Sequence, residues 1–593
     1  MENEVLVEKA NLIPVVQKML AEKARFGTAT CLDLGDKFEI IYHFEPQEKP
    51  EPLTHIRVKI PKGDTLPSIS SIYLSATLIE NEIKDLFNIK ISGSAFDFQS
   101  KFIRTKESPE SELLKPTDYA PKPSPRIQAR CQQACPAGID IPRYVRLIGE
   151  RKFAESLAVI KQAMPFPGIL GRVCFAPCED NCRQGKQWEP IANKMLKRFA
   201  YDHATYYDDK IAVKATGKHV AIIGSGPAGL TAGYYLANMG HEVTIFEALP
   251  QAGGMMRIGI PTYRLPQKVL DDEINMVKKL GVVIKTNTRV ESLDVLFKDG
   301  YRAILVATGA HQGMKLGVEG EDHPKVVECI DLLRDVNLGK EVNLGNRVAV
   351  IGGGNAAIDA ARTALRLGAK QVTIFYRRSR AEMPASPSEV EEALREGVKI
   401  EFLVARQKVF SRNGAVALQN IRMKLGALDA SGRPRPEPIE GSEFTVELDL
   451  IIAAVGQRPE ALEQLGLRLG RGNIIVADPE TLATSRGGVF VAGDAATGPA
   501  SVIEAIAQAK KAAISIDKYI GGKGILPVEE IKVKEPTSRY TFIERLAKES
   551  RRVKMPTLSI EARLRGFDEV ELGLTKEMAV AEGQRCWRCD LEE

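Results

Sequence analysis

The sequence predicts a multidomain α/β chain: a small N-terminal α/β unit, a helical cysteine-bearing segment and two doubly wound domains. Three observations carry that expectation. At 593 residues the chain is too long for one core. Two segments, HVAIIGSGPAGLTAGYYLANMGHEVTIFE (219–247) and RVAVIGGGNAAIDAARTALRLGAKQVTIFYRR (347–378), each run strand, glycine turn, helix, strand. Seven of the nine cysteines fall into three tight groups.

Composition excludes several classes. With 44% hydrophobic and 27% charged residues the chain is an ordinary globular protein. Its net charge of +5 is small and its basic residues are scattered, so no nucleic-acid footprint is present. The first residues, MENEVLVEKANLIPVVQKML, lack the basic and apolar regions of a signal peptide. No apolar run approaches the roughly 20 residues needed to span a bilayer. The expectation is a cytoplasmic protein with no direct membrane insertion, associated with a membrane only through partners.

Residues 1–105 are expected to form the first unit. KFEIIYHFE (37–45) and LTHIRVKIP (53–61) read as paired strands joined through EPQEKPEP, and 72–89 carries helical spacing. Residues 106–130 are rich in proline and read as a linker. A helical cysteine-bearing domain is expected over 131–214. The first doubly wound domain is expected over 215–340 and 455–522, and the second over 341–454, with an antiparallel meander between 400 and 455. Residues 523–593 read as a tail that crosses the surface and carries Cys586 and Cys589.

The duplicated strand–turn–helix plan implies two nucleotide-binding domains rather than a solenoid. In the first, Gly224 permits the tight turn, Gly226 lets backbone approach a pyrophosphate, and Gly229 allows helix and strand to pack closely. Glu247 ends the second strand 23 residues after Gly224, where a carboxylate accepts hydrogen bonds from a ribose. Further on stand Gly253-Gly254, Ala307-Thr308-Gly309 and Gly493-Asp494. This set resembles the flavoproteins with two dinucleotide-binding domains, over roughly residues 215–520. The resemblance implies bound FAD, with Gly254, Thr308, Gly309 and Gly493 at the cofactor and Asp494 on its ribityl chain. A helix starting near Ser501-Val502 would aim its positive end at the flavin.

The second fingerprint holds Gly352, Gly354, Asn355 and, in the third glycine position, Ala357. Where NAD sites place an acid, this chain has Tyr376-Arg377-Arg378. A guanidinium grips a 2′-phosphate that a carboxylate would repel, so Arg377 and Arg378 predict NADP(H). The alternative is a solvated basic turn.

Clustered cysteines in a chain without export signals read as metal ligands: Cys131 and Cys135; Cys174, Cys178 and Cys182; Cys586 and Cys589. Only Cys329 lies between 215 and 520, so no dithiol can take electrons beside the flavin. CPAGIDIPRYVRLIGERKFAESLAVI, GRVCFAPCEDNC, EPIANKMLKRFA, GIPTYRLP, YRRSRAEMPA and SVIEAIAQ together closely resemble the small subunit of NADPH-dependent glutamate synthase and related NADPH oxidoreductases. That family carries an N-terminal helical domain with two [4Fe-4S] clusters. Its usual first cysteine pair is missing here, and Cys586 and Cys589 look like the same element relocated. The resemblance implies one cluster on Cys131, Cys182, Cys586 and Cys589, and a second on Cys135, Cys174 and Cys178. The usual fourth ligand of the second, an acid or amide, is replaced by Lys197, so that cluster stays open at this stage. A zinc ion on four thiolates is the competing reading.

Glu80-Asn-Glu82-Ile83-Lys-Asp85-Leu86-Phe87-Asn-Ile89-Lys-Ile91-Ser-Gly93 resembles the signature of the 30 kDa subunit of respiratory complex I and related membrane hydrogenases. Asn81, Asn88 and Ser94-Ala95 depart from it, standing where the family has arginine, glycine and His-Pro. The resemblance implies a docking domain for a large subunit related to [NiFe] hydrogenases. Hydride transfer needs positioning rather than an acid–base constellation, so no catalytic side chain is expected. The expected function is an NADPH-linked flavin and iron–sulfur electron-transfer subunit of a multi-subunit redox complex. The alternatives are a glutamate synthase small subunit and a docking scaffold with a vestigial flavin site.

Overall fold

The structure is a computed structural model that describes residues 4–46, 53–99, 102, 128–204, 213–429, 432–527 and 551–591. It divides into two units, Met1–Pro125 and Arg126–Glu593. Most of the expected linker, and residues 47–52 of the expected turn, lie outside the described residues. The last linker residue, Arg130, already opens a short helix, Arg130–Gln133.

The first unit is a four-stranded mixed sheet in the order Glu4–Val7, Thr54–Pro61, Lys37–Glu45, Arg25–Asp33, the first pair parallel and the rest antiparallel. Alternation decides its inner face. Phe38, Ile40, Tyr42 and Phe44 on one strand and Ile56, Val58 and Ile60 on the next are all buried, with Tyr42 opposite Ile56 and Ile40 opposite Val58. The helix Ala76–Phe87 begins four residues later than expected, because residues 69–76 form consecutive turns, Tyr73 N–H donating to Ile69 and Ala76 N–H to Tyr73. Asn88 ends it in the left-handed conformation at φ 52°, which explains how asparagine serves where the resembling family has glycine. Buried Glu80 accepts from the Ile69 N–H at 2.9 Å and from the Ser68 and Tyr42 hydroxyls, pinning the helix to the preceding loop.

In the second unit, one all-parallel sheet runs Val489–Val491, Ala303–Val306, His219–Ile223, Glu242–Phe246, Val283–Lys285. Another runs Val326–Glu328, Leu450–Ala453, Arg347–Ile351, Gln371–Tyr376, Lys399–Phe402. The second sheet thus takes in Val326–Glu328, ahead of residue 341. Strands Val404–Arg412, Ala415–Leu428, Pro434–Pro438 and Phe444–Leu448 form the antiparallel meander. Near-continuous apolar runs such as Val220-Ala-Ile-Ile223 fit strands buried on both faces.

The cysteine-bearing helices do not form a separate core. Tyr144, Leu170 and Phe199 belong to one continuous cluster with Ile222, Leu236 and Ile506 of the first doubly wound domain. Glu273, from the helix Gln267–Lys279, is fully buried there and accepts from the N–H groups of Gly168 (2.8 Å) and Ile169 (2.9 Å), capping the helix Pro167–Val173.

Among the described residues, 551–591 do not form a surface tail. Val570, Leu574, Ala579 and Trp587 are buried, and helix Lys576–Gln584 crosses helix Ile141–Gly149 at Gly583 and Gly149. A Cβ on Gly583 would lie 2.7 Å from the Gly149 nitrogen. Fully buried Glu582 accepts from Ala192 N–H (2.8 Å) and Val553 N–H (3.0 Å) and pairs with Arg585. Sequence reasoning missed this because the segment's charges are consumed in part-buried pairs such as Arg172–Glu569 (2.7 Å).

Candidate functional site

The two glycine turns open onto two cavities. The first, of about 580 Å³, is lined by Gly224, Gly226, Glu247, Gly254, Thr308, Gly309, Gly493, Asp494, Ser501 and Val502. A Cβ on Gly224 (φ 104°) would lie 2.4 Å from the Ala307 carbonyl oxygen, and Gly229 packs under the turn, where a Cβ would meet the Gly224 oxygen. Gly229 therefore shapes the cradle without lining it.

Glu247 does more than its position in the motif implies. Its carboxylate accepts from Ser225 N–H (2.9 Å), Ser225 Oγ (2.5 Å) and Leu249 N–H (2.8 Å), so it fixes the glycine turn. Asp494 follows the left-handed Gly493 (φ 72°) and accepts from Ala500 N–H at 3.1 Å. Burial pushes its carboxyl up to about 6. Ser501 and Glu504 form a capping box that opens the helix Val502–Tyr519 at the cavity wall. His311, Arg289 and Arg334 also line this cavity, and no motif signalled them. Burial holds the His311 imidazole below its ordinary value.

The second cavity, of about 680 Å³, is lined by Gly352, Gly354, Asn355, Arg377 and Arg378, while Ala357 is buried behind the turn. Arg378 is engaged elsewhere: it pairs with Asp429 at 2.6 Å and donates to the Pro434 carbonyl at 3.0 Å. Sequence reasoning missed Arg406 and Arg433, which come from the meander to the same cavity. Burial and then the charge of Arg377 lower Arg406, and both guanidinium groups line this cavity. Arg406 is further positioned by donating to the Leu316 carbonyl at 2.6 and 3.0 Å. Ala500 lines both cavities, and Phe175, one residue after Cys174, lines the second.

The cysteines gather into two groups. Cys131, Cys182, Cys586 and Cys589 line one small cavity with Arg130, Arg183 and Trp587. Cys135, Cys174 and Cys178 line another with Lys197, Tyr144 and Ile503. Burial raises the thiols of Cys131, Cys586 and Cys589, and their mutual repulsion raises them further. Such thiols become thiolates when a metal core supplies the positive charge. Among the described residues no group of three or more His, Cys, Asp or Glu side chains is placed to hold a single metal ion. The thiols of each group instead line one small cavity.

These residues fit the groups implied: glycine turns and a buried carboxylate for FAD, a multi-arginine cavity for NADP(H), and thiols gathered along two small cavities for iron and sulfide. Known proteins agree. The chain matches the pyridine nucleotide-disulphide oxidoreductase family over residues 218–509. It matches dihydropyrimidine dehydrogenase domain II, 4Fe-4S cluster, over 126–208, and the respiratory-chain NADH dehydrogenase 30 kDa subunit over 5–100. It is 41% identical over 506 residues to the NADP(+)-dependent formate dehydrogenase subunit beta of Moorella thermoacetica, covering 78% of this chain and 71% of that one. It is 38% identical to the NADPH-Fe(3+) oxidoreductase subunit beta of Geobacter sulfurreducens, covering 78% and 75%. With the glutamate synthase [NADPH] small chain of Azospirillum brasilense it shares 33% identity, covering 67% and 88%. No helix among the described residues is long and apolar enough to cross a membrane. The chain belongs to the family of FAD-dependent, [4Fe-4S]-containing NADPH oxidoreductases that includes these three proteins, and it carries in addition a domain of the 30 kDa NADH dehydrogenase subunit type.

Proposed function

We propose that this chain is the NADP(H)-linked subunit of a multi-subunit redox complex, exchanging hydride between NADP(H) and FAD and single electrons with a partner through its cysteine cavities. One observation carries the reading: the four cavities share walls in series. Ala500 lines both nucleotide cavities. Val502 lines the flavin cavity and its neighbour Ile503 the cavity of Cys135, Cys174 and Cys178. Ile141 then lines both cysteine cavities.

FAD and iron–sulfur cores, when bound, supply the conversion of two-electron into one-electron chemistry. The chain's own residues supply position and charge. The glycine turns hold phosphates at helix N-termini. Arg377 and Arg406 select the 2′-phosphate, with Arg378 as a scaffold for the meander. The capped start of helix Val502–Tyr519 places positive potential beside the flavin. The seven cysteines Cys131, Cys135, Cys174, Cys178, Cys182, Cys586 and Cys589 are the ligands.

The partner assignment rests on two relatives, each a subunit beta, and on the 30 kDa-type unit. Through residues 1–105 the chain docks onto a large subunit of [NiFe]-hydrogenase type, in the cytoplasm. The match to the glutamate synthase small chain leaves a third of this chain unmatched, which favours the subunit reading over that one. A vestigial flavin site is disfavoured by Gly224, Gly226, Glu247 and Asp494, all of which line one cavity. Purification of the full-length chain from its native host tests the assembly. Co-elution with a stoichiometric redox-metal subunit that NADPH reduces supports it. A chain that elutes alone and reduces only artificial dyes contradicts it.

A further inference from the structure

We propose that Phe175, carried between Cys174 and the helix Pro177–Asp180, is the ring on which the nicotinamide of NADP(H) packs, so that the cysteine-bearing segment completes the nucleotide site. The inference rests on the second cavity taking NADP(H) and deepens that reading by assigning its nicotinamide end.

An exposed aromatic ring is the starting point. Phe175 lines the second nucleotide cavity and is 53% exposed. The other aromatic residues of that wall, Phe375 and Tyr376, are buried, and the Tyr376 hydroxyl donates to the Glu382 carbonyl at 2.7 Å. A phenyl ring left in water forgoes the gain of burial, which the flat face of an aromatic ligand restores. The backbone also holds Phe175 in place. Ala176 is left-handed at φ 53°, a conformation rare for a residue with a Cβ, and its N–H donates to Cys174 Sγ at 3.3 Å. Pro177 then fixes the next step of the chain. Phe175 is thus held from both sides.

Sheet order says which end of the cavity this is. The strand Gln371–Tyr376 lies on one side of Arg347–Ile351, and Leu450–Ala453 and Val326–Glu328 lie on the other. The glycine turn after Arg347–Ile351 takes the pyrophosphate, and Arg377 after Gln371–Tyr376 takes the 2′-phosphate. The nicotinamide half therefore runs the other way, over the ends of Leu450–Ala453 and Val326–Glu328. Ala454, Gly456 and Ile330 line the cavity there. Ala500 lines it too and reaches the flavin cavity, which marks the flavin end. Phe175 belongs to that end, because its neighbour Cys174 shares a cavity wall with Ile503, three residues past Ala500.

The ligand's chemistry fits an aromatic wall. Hydride exchange needs one face of the nicotinamide turned to the flavin, and the opposite face is then wet unless the protein covers it. In NADP⁺ the ring also carries a positive charge, which an aromatic face attracts. Ala454, Gly456 and Ala500 offer little side chain for such a cover, whereas Phe175 supplies a whole ring. It acts as a positioning residue for the nucleotide.

The test titrates oxidised full-length holoprotein by calorimetry with NADP⁺ and with 2′-phospho-ADP-ribose, which is NADP⁺ without its nicotinamide. Wild type should bind NADP⁺ the more tightly. Phe175→Leu keeps apolar bulk but removes the ring, and should weaken NADP⁺ about two- to tenfold, the range of one aromatic contact. Its affinity for 2′-phospho-ADP-ribose should not move, which also reports an intact site, and Phe175→Tyr should restore NADP⁺ binding. Equal affinity of wild type for the two nucleotides overturns the proposal. So does a Phe175→Leu protein in which NADP⁺ binding is unchanged, or in which both nucleotides weaken alike. If wild type binds neither nucleotide, the NADP(H) reading of the cavity fails and this inference falls with it.

Discussion

Val502 and Ile503 are consecutive at the first turn of one helix, yet Val502 lines the flavin cavity and Ile503 the cavity of Cys135, Cys174 and Cys178. The wall between the two cavities is therefore one helix turn, held by the Ser501–Glu504 capping box. Local helix chemistry thus fixes how closely the two cavities approach.

Loss of that cap should loosen the flavin. Ser501→Ala removes the oxygen that accepts from Glu504 N–H and costs about 1 kcal/mol at a helix N-terminus. Roughly fivefold weaker FAD retention is expected, measured by flavin fluorescence released on dilution. Unchanged retention would mean that the first turn does not support the flavin.

Nucleotide choice should follow Arg377 and Arg406. Replacing both with alanine is expected to weaken NADPH by about ten- to a hundredfold, one or two charge-assisted hydrogen bonds, and to leave NADH nearly unchanged. Arg378→Ala should instead lower thermal stability, because it leaves buried contacts to Asp429 and Pro434 unmade. Binding titrations with both nucleotides, beside melting curves, separate the two effects.

The crossing of Gly149 and Gly583 should control the first cluster. Gly583→Val places a side chain against the Gly149 nitrogen and the Val145 oxygen and displaces the terminal helix. Cys586 and Cys589 move with it, so iron content should fall to about half while the flavin stays bound. Retention of all iron would show that the terminal helix does not place these ligands.

Stability should carry a signature from Glu273. Burial, opposed by the N–H groups of Ile169 and Gly168, pushes its carboxyl from 4.5 to about 8. Between those values the folded state holds a proton the unfolded chain has released. Its contribution is therefore full below about pH 4.5 and lost as pH rises through about 8. Relative to Glu273→Gln, the native chain should lose a few kcal/mol across that window, read from denaturant melts at several pH values. A pH-independent difference would contradict the assigned burial.

Much of this was legible in the sequence because the motifs are local. Gly224, Gly226, Glu247 and Asp494 line the flavin cavity because strand–turn–helix geometry follows from spacing along a few dozen residues. In the structure the seven cysteines line two cavities. What escaped is long-range. Arg406 and Arg433 reach the nucleotide cavity from a meander whose register is set by tertiary pairing, and isolated arginines carry no local signal. The C-terminal segment misled for the same reason: only the fold pairs Glu569 and Glu571 with Arg172 and Arg198.

The central claim is one electrical circuit within one polypeptide, and anaerobic titration of the iron-replete full-length protein with NADPH tests it most directly. The account predicts that flavin absorbance bleaches and that EPR signals of reduced iron–sulfur centres then appear in the same sample. Flavin that stays oxidised, or flavin that bleaches without any centre becoming paramagnetic, would contradict it.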